Sequence, residues 1–180
     1  MDDPSWLLTR VRDVPDFPEP GILFKDLTPL LGDPEAFRFS VDAMAEWCRS
    51  LSDGPAGPVT KVVGVEARGF TFAAGVAYLL GAGLVPVRKP GKLPHETVAE
   101  TYALEYGTDT LEVHRDAVGE GESVLVVDDV LATGGTAAAT CRLLESVGGR
   151  VAGLAFILEL GFLGGRAKLA DHEIFSLLTT

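Results

Sequence analysis

The chain is poor in the residues that would signal several common chemistries. It has two cysteines, Cys48 and Cys141, far apart and without a Cys-x-x-Cys. That pattern excludes a disulfide framework and a cysteine zinc site, and suits two reduced thiols on helix faces. His95, His114 and His172 lack metal-ligand spacing. No apolar run approaches the roughly twenty residues that a membrane-spanning helix needs. The start, Met1-Asp2-Asp3-Pro4, is acidic and lacks a signal-peptide layout. Together these absences point to a cytoplasmic protein with no membrane partner. Cations are scarce as well: Lys plus Arg is 15 against 26 Asp plus Glu, a net charge of −11. A surface of that sign repels a nucleic-acid backbone, although a local basic patch can still hold a small polyanion. There is no Walker A loop, no His-Glu-x-x-His and no Gly-x-Ser-x-Gly. Repeats, linkers and low-complexity tracts are also missing, so the 180 residues are read as one domain, 1–180, with a substantial core.

What remains is an alternation of short apolar runs and helical periodicities. A short helix is expected over 5–12 with Ser5 as N-cap, then a proline-stiffened loop over 15–21. Asp33-Pro34-Glu35 is a helix start, and Phe37, Val41, Met44 and Cys48 follow at helical spacing. Strands are expected at 61–65, 84–87, 123–127, 151–158 and 174–178, and helices at 69–80, 137–147 and 163–170. The segments 97–103 and 108–114 pair as a hairpin around Glu105-Tyr106-Gly107. Strands alternating with helices imply an α/β fold with a mostly parallel central sheet flanked by helices.

The most informative stretch runs from Val124 to Thr136, VLVVDDVLATGGT. An apolar run of this kind is a buried parallel strand. It ends in Asp128 and Asp129, and Ala132-Thr133-Gly134-Gly135-Thr136 then turns into an Ala-rich helix. Open α/β sheets bind ligands at the carboxyl ends of their strands. A glycine turn at a helix N-terminus offers N–H groups to a phosphate. Two adjacent acids suit the paired hydroxyls of a ribose. The combination reads as a ribose 5-phosphate cradle.

This stretch resembles the phosphoribosyl-pyrophosphate (PRPP) motif of the type I phosphoribosyltransferases. Three further segments resemble the adenine phosphoribosyltransferases in particular, in that family's order from Phe17 to about Leu178. Gly64-Val65-Glu66-Ala67-Arg68-Gly69-Phe70 is similar to the pyrophosphate loop, where Arg68 offers bidentate phosphate contacts. By itself it would be only a turn with a surface cation. In the family a strained peptide falls where this chain has Glu66-Ala67. Arg88-Lys89-Pro90-Gly91-Lys92-Leu93-Pro94, the densest basic stretch, continues into Tyr102-Ala103-Leu104-Glu105-Tyr106-Gly107 and resembles the flexible catalytic loop, about 89–107. Without the resemblance it would be a solvated loop. Phe17-Pro18-Glu19-Pro20-Gly21-Ile22-Leu23-Phe24-Lys25-Asp26 resembles the hood, about 15–30, over the base.

The resemblance implies the type I phosphoribosyltransferase fold and a reaction in which adenine and PRPP give AMP and pyrophosphate. It assigns catalytic roles to Glu105, Arg68, Lys89 and Lys92. PRPP and AMP would be held by Glu66, Ala67, Arg68, Asp128, Asp129 and residues 132–136. Adenine would lie on Phe24 between Leu23 and Lys25, whose backbones read its edge, with Val130 and Leu160 over its other face. Tyr106 would help the loop to close. Glu105 would exchange a proton with the imidazole edge of the purine. Mg²⁺ would arrive bound to PRPP, with no ligand from the protein, and the chain would be a homodimer. Two rivals remain: a type I transferase for another purine or xanthine, and a PRPP-sensing regulator on the same fold that binds nucleic acid. A panel of bases separates the first, and the acidic charge and retained loop argue against the second.

Overall fold

The computed structural model describes residues 3–51, 54, 57–103 and 107–180. Its centre is a five-stranded sheet in the order β4–β3–β7–β8–β9, with every neighbouring pair parallel. The strands are β3 (Lys61–Val65), β4 (Gly83–Val87), β7 (Ser123–Leu131), β8 (Arg150–Glu159) and β9 (Ile174–Thr179). Two antiparallel hairpins stand outside it: β1 (Arg12–Pro15) with β2 (Leu23–Asp26), and β5 (Thr97–Ala103) with β6 (Thr108–His114). The expected α/β architecture is therefore present.

Side-chain alternation along the strands makes two cores. On one face Val62, Leu125, Val127 and Ile157 pack with α2 (Pro34–Ser50) and α3 (Gly69–Leu80). On the other, Val63, Val124, Val126 and Phe156 pack with α4 (Gly135–Ser146) and with Leu111 and Val113 of β6. Helix α2 begins as its sequence demands. Asp33 accepts from the N–H groups of Glu35 and Ala36 at 3.0 and 3.1 Å, and Pro34 needs no acceptor.

Several local expectations change. The N-terminal helix is a 3-10 helix, Pro4–Arg10, and its cap is Asp3 rather than Ser5. Ser5 donates its N–H to the Asp3 carboxylate at 2.9 Å, so the helix is capped two residues earlier than expected. The proline loop 15–21 is the connection of the β1–β2 hairpin, where the Asp16 carboxylate accepts from the Gly21 N–H at 2.7 Å. A short helix, α1 (Thr28–Gly32), fills a stretch with no helical assignment from the sequence. The helix expected over 163–170 is two 3-10 turns, Gly161–Leu163 and Gly165–Leu169, broken where Gly164 takes φ +63°.

The largest revision concerns β7. It does not stop before the acid pair but runs to Leu131, because the ten-residue β8 keeps pairing alongside it: Asp128↔Phe156, Val130↔Leu158, Leu131↔Glu159. Asp128 and Asp129 are ladder residues, held more rigidly than loop acids would be. Helix α4 also starts two residues earlier than expected, at Gly135, so the turn before it is shorter.

Candidate active site

A cavity of about 580 Å³ opens at the carboxyl ends of β3 and β7. Its floor is the turn from β7 into α4. Gly134 is the N-cap of α4 with φ +77°, and no side chain caps the helix. The first N–H groups of an α-helix lack intrahelical acceptors and carry the positive end of its dipole, so this floor is an anion site. Behind it, a Cβ on Gly134 would overlap the Gly165 carbonyl, and one on Gly165 would overlap the Ala132 carbonyl. The 3-10 turn carrying Gly165 is fastened by Arg166, whose Nε donates to both oxygens of the buried Glu159 at 2.8 Å. The floor thus has a rigid backing that allows only glycine at two positions.

One wall is the acid pair. Asp129 is buried and closely ion-paired with Arg68. Asp128 lines the cavity and accepts the Asp129 N–H at 2.9 Å. Burial, followed by the neighbouring Asp129 charge, pushes the Asp128 carboxyl well above the usual carboxylate range. Helix α3 starts against this wall: a Cβ on Gly69 would come within 2.8 Å of both Asp128 Oδ1 and the Val127 carbonyl. The loop before it contains a cis peptide at Glu66-Ala67.

Phe24, edge-on to Phe17 with centroids 5.1 Å apart, forms the apolar end with Leu23, Val130 and Leu160. The Arg68 guanidinium lies 5.0 Å from the centre of the Phe24 ring, a cation–π distance. Arg68 therefore spans from the acid pair to the aromatic platform. Lys25 also lines the cavity, but its ammonium is paired with Asp13 at 2.6 Å across the hairpin, which leaves its backbone as the available group.

The basic loop closes the remaining side. Lys89 lines the cavity; Lys92 is not among the lining residues and lies 3.6 Å from Glu66 Oε1. Glu66 Oε2 accepts from the Lys89 N–H at 2.9 Å and from Arg88 Nε at 3.2 Å. The Lys89 N–H first, then Arg88 and Lys92, hold the Glu66 carboxyl below its usual value against the opposing effect of burial. So Glu66 faces cations of the loop, and an anionic ligand would find it already engaged.

Of the residues singled out from sequence, 66–68, 89, 128–130, 132–136, 23–25 and 160 meet around this cavity. Glu105 and Tyr106 lie outside the described residues. Two polar groups were missed. Tyr102 and Asp109 line the cavity and are hydrogen-bonded to each other at 3.2 Å. A signal existed: strand ends at 103 and 108 already put Tyr102 opposite Asp109. The arms of this hairpin are also less exposed than their sequence suggests, since Tyr102, Leu111 and Val113 are buried. Gly165 had no local signal.

Residues 31–173 match the phosphoribosyl transferase domain family. A chain named adenine phosphoribosyltransferase from Thermobifida fusca is 57% identical over 178 residues, covering 98% of each chain. The crystal structure of adenine phosphoribosyltransferase from Rhodothermus marinus superposes with a TM-score of 0.91 at 51% identity, covering 99% of this chain and 98% of that one. The Saccharomyces cerevisiae enzyme, complexed with D-2,5-dideoxy-2,5-imino-altritol 1,6-bisphosphate and adenine, gives a TM-score of 0.89 at 40% identity over 97% of each chain.

Proposed function

This chain belongs to the adenine phosphoribosyltransferases, and from that premise we propose how its pocket divides the work of the reaction. It transfers the 5-phosphoribosyl group of PRPP to adenine, giving AMP and pyrophosphate, a step of adenine salvage. One observation carries the division of labour: an uncapped helix N-terminus, an acid pair and an aromatic platform line a single cavity.

The 5′-phosphate sits on residues 132–136, where backbone N–H groups are already oriented. Anchoring this remote group turns its binding energy into alignment of the reacting carbon. Asp128 and Asp129 take the ribose hydroxyls. As the bond from C1′ to pyrophosphate breaks, the sugar gains oxocarbenium character, and these two carboxyls sit where that charge develops. Arg68 and Lys89 take the departing pyrophosphate, whose charge grows in the same step. Lys92 acts at one remove: its ammonium and Arg88 hold Glu66, and Glu66 holds the main chain of Lys89. That role for Glu66 replaces direct contact with PRPP.

Adenine lies on Phe24 with Leu160 and Val130 over its other face, under a hood made by the β1–β2 hairpin. Glu105 exchanges the purine proton and Tyr106 closes the loop, roles that rest on the sequence resemblance alone. Among the described residues no group of three His, Cys, Asp or Glu is gathered as a metal site. Mg²⁺ is assigned to PRPP on the sequence resemblance; held by substrate oxygens and water as is usual for this ion, it would offset charge on the diphosphate. A homodimer is supported by exposed Tyr78, Leu79 and Leu84 near the β4 edge, which sedimentation would check. Among the described residues no helix is long and apolar enough to cross a membrane. The net charge of −11 supports an enzyme whose general surface does not attract nucleic acid.

A base panel tests the assignment. With PRPP and Mg²⁺, kcat/KM for adenine should exceed that for hypoxanthine or guanine by about 10²-fold or more, since buried groups left unpaired penalise the wrong base. Comparable kcat/KM for hypoxanthine would overturn it.

A further inference from the structure

Asp109 is an anion in a pocket built for a polyanion, and the division of labour above gives it no task. Its Oδ2 accepts from Lys89 Nζ and from the Tyr102 hydroxyl, the latter at 3.2 Å. The Tyr102 oxygen lies 3.1 Å from Thr136 Oγ1 in the phosphate turn. A tyrosine has one proton to donate, and here it goes to Asp109, so the Thr136 hydroxyl is the donor in that second bond. The polar chain runs from Thr136 to Tyr102 to Asp109, and Lys89 meets Asp109 from the other side. Because Glu66 holds the Lys89 N–H at 2.9 Å, this lysine is gripped at both main chain and side chain.

The docking of the hairpin does not require this grip. Leu111 and Val113 are buried in the core, and Arg142 of α4 is paired with Glu100 of β5 at 2.7 Å. Burial raises the Asp109 carboxyl, but Lys89, the Thr110 N–H and Tyr102 together outweigh it and leave a net shift downward. The residue is thus an ionised partner reserved for a cation that the substrate needs.

We propose that Asp109 is a competitor for Lys89 built into the site: it holds the ammonium in the pocket and yields it when the diphosphate of PRPP arrives. The inference rests on reading Lys89 as a pyrophosphate ligand. Its consequence is a limit on ground-state affinity. A free ammonium would bind PRPP and pyrophosphate tightly alike, which deepens both wells without lowering the barrier between them and slows product departure. Asp109 offsets that attraction, so neither PRPP nor pyrophosphate is held as tightly as a free ammonium would hold it.

Asp109→Asn keeps the shape and one acceptor oxygen for Lys89 and Tyr102 while removing the competing charge, at the loss of the acceptor for the Thr110 N–H. Its Kd for magnesium pyrophosphate, read by titration calorimetry, and its KM for PRPP should both fall about two- to fivefold, the upper part of the range for a partly exposed ion pair, and kcat should not rise. Asp109→Glu should restore wild-type affinity. In a Lys89→Ala background, Asp109→Asn should leave the pyrophosphate Kd within about twofold, the double-mutant signature of action through the lysine. Melting curves on every variant keep loss of fold apart from loss of binding. If Asp109→Asn leaves the Kd unchanged or weakens binding, Asp109 positions the hairpin and does not compete. Equal tightening with and without Lys89 also overturns the proposal, because the charge would then act on the ligand directly. Should Lys89→Ala itself leave pyrophosphate affinity intact, the reading of Lys89 falls and this inference with it.

Discussion

Two carboxylates stand at the ends of neighbouring parallel strands and behave in opposite ways. Glu66 follows β3 and Asp128 lies near the end of β7, with Gly64 and Val127 paired in register just before them. Each precedes a helix start that lines the same cavity. Glu66 is met by a backbone N–H and two cations, and its carboxyl is held low. Asp128 is half-buried beside the buried acid Asp129, and its carboxyl is pushed up. The same place in the fold therefore yields a satisfied charge that organises a loop and an uncompensated one that awaits a ligand. Strongly perturbed acids in a cleft are more often functional than structural, and the contrast separates the two kinds.

The sharpest way to break this contrast is to remove the charges on β7. Asp128→Asn and Asp129→Asn should each lower kcat/KM for PRPP by about 10- to 100-fold, from loss of a charge-assisted hydrogen bond of roughly 1.5–3 kcal/mol. The Asp129 variant should suffer more, because Arg68 also loses its partner. Adenine's Kd should change little in either. Wild-type kcat/KM in both variants would make the pair structural.

A smaller effect of opposite sign concerns stability. An acid whose folded pKa is raised destabilises the fold above its unfolded pKa of about 3.9. Asp128→Asn should therefore melt higher at neutral pH, with a gain of about 0.5–2 kcal/mol bought at the expense of activity. The gain should shrink as pH falls toward the unfolded value. A lower melting temperature at pH 7 would mean that the charge is compensated after all.

The least effect is expected at Glu66. Its folded pKa is lowered, so its contribution is present above the unfolded value of about 4.3 and is lost as pH falls through the folded value. Glu66→Gln should cost under about 1 kcal/mol at pH 7, given the partial exposure of Arg88 and Lys92, and nothing at low pH. It should also raise KM for PRPP modestly, since Lys89 keeps its main-chain acceptor but the basic loop loses its counter-charge. A stability change that persists unaltered at acid pH would point to packing instead.

The division between what was readable from the chain and what was not follows the range of the forces involved. The Asp-Asp and Thr-Gly-Gly-Thr run, the Asp33-Pro34 helix start, the five central strands and the ends of the β5–β6 hairpin are local patterns, set by side-chain period, caps and turns. They pointed to the ribose-phosphate stretch 128–136, and the family resemblance supplied the other expected site residues that meet it in one cavity. The exit of β7 was misplaced because strand length depends on the partner, and β8 continues beside both acids. Phe24 and Arg68 were assigned to different substrates, yet they touch. Glu66 is expected at PRPP and Lys92 at the departing pyrophosphate, and their side chains lie 3.6 Å apart. Glycine at 165 is required only because the phosphate turn comes to lie against it. Composition and periodicity determined which elements form and where the chemistry gathers. Which charge faces which was decided only by the tertiary structure, because an ion pair or a raised carboxyl depends on groups that the chain brings together from 20 residues away, as for Lys89 and Asp109, or from 61, as for Arg68 and Asp129.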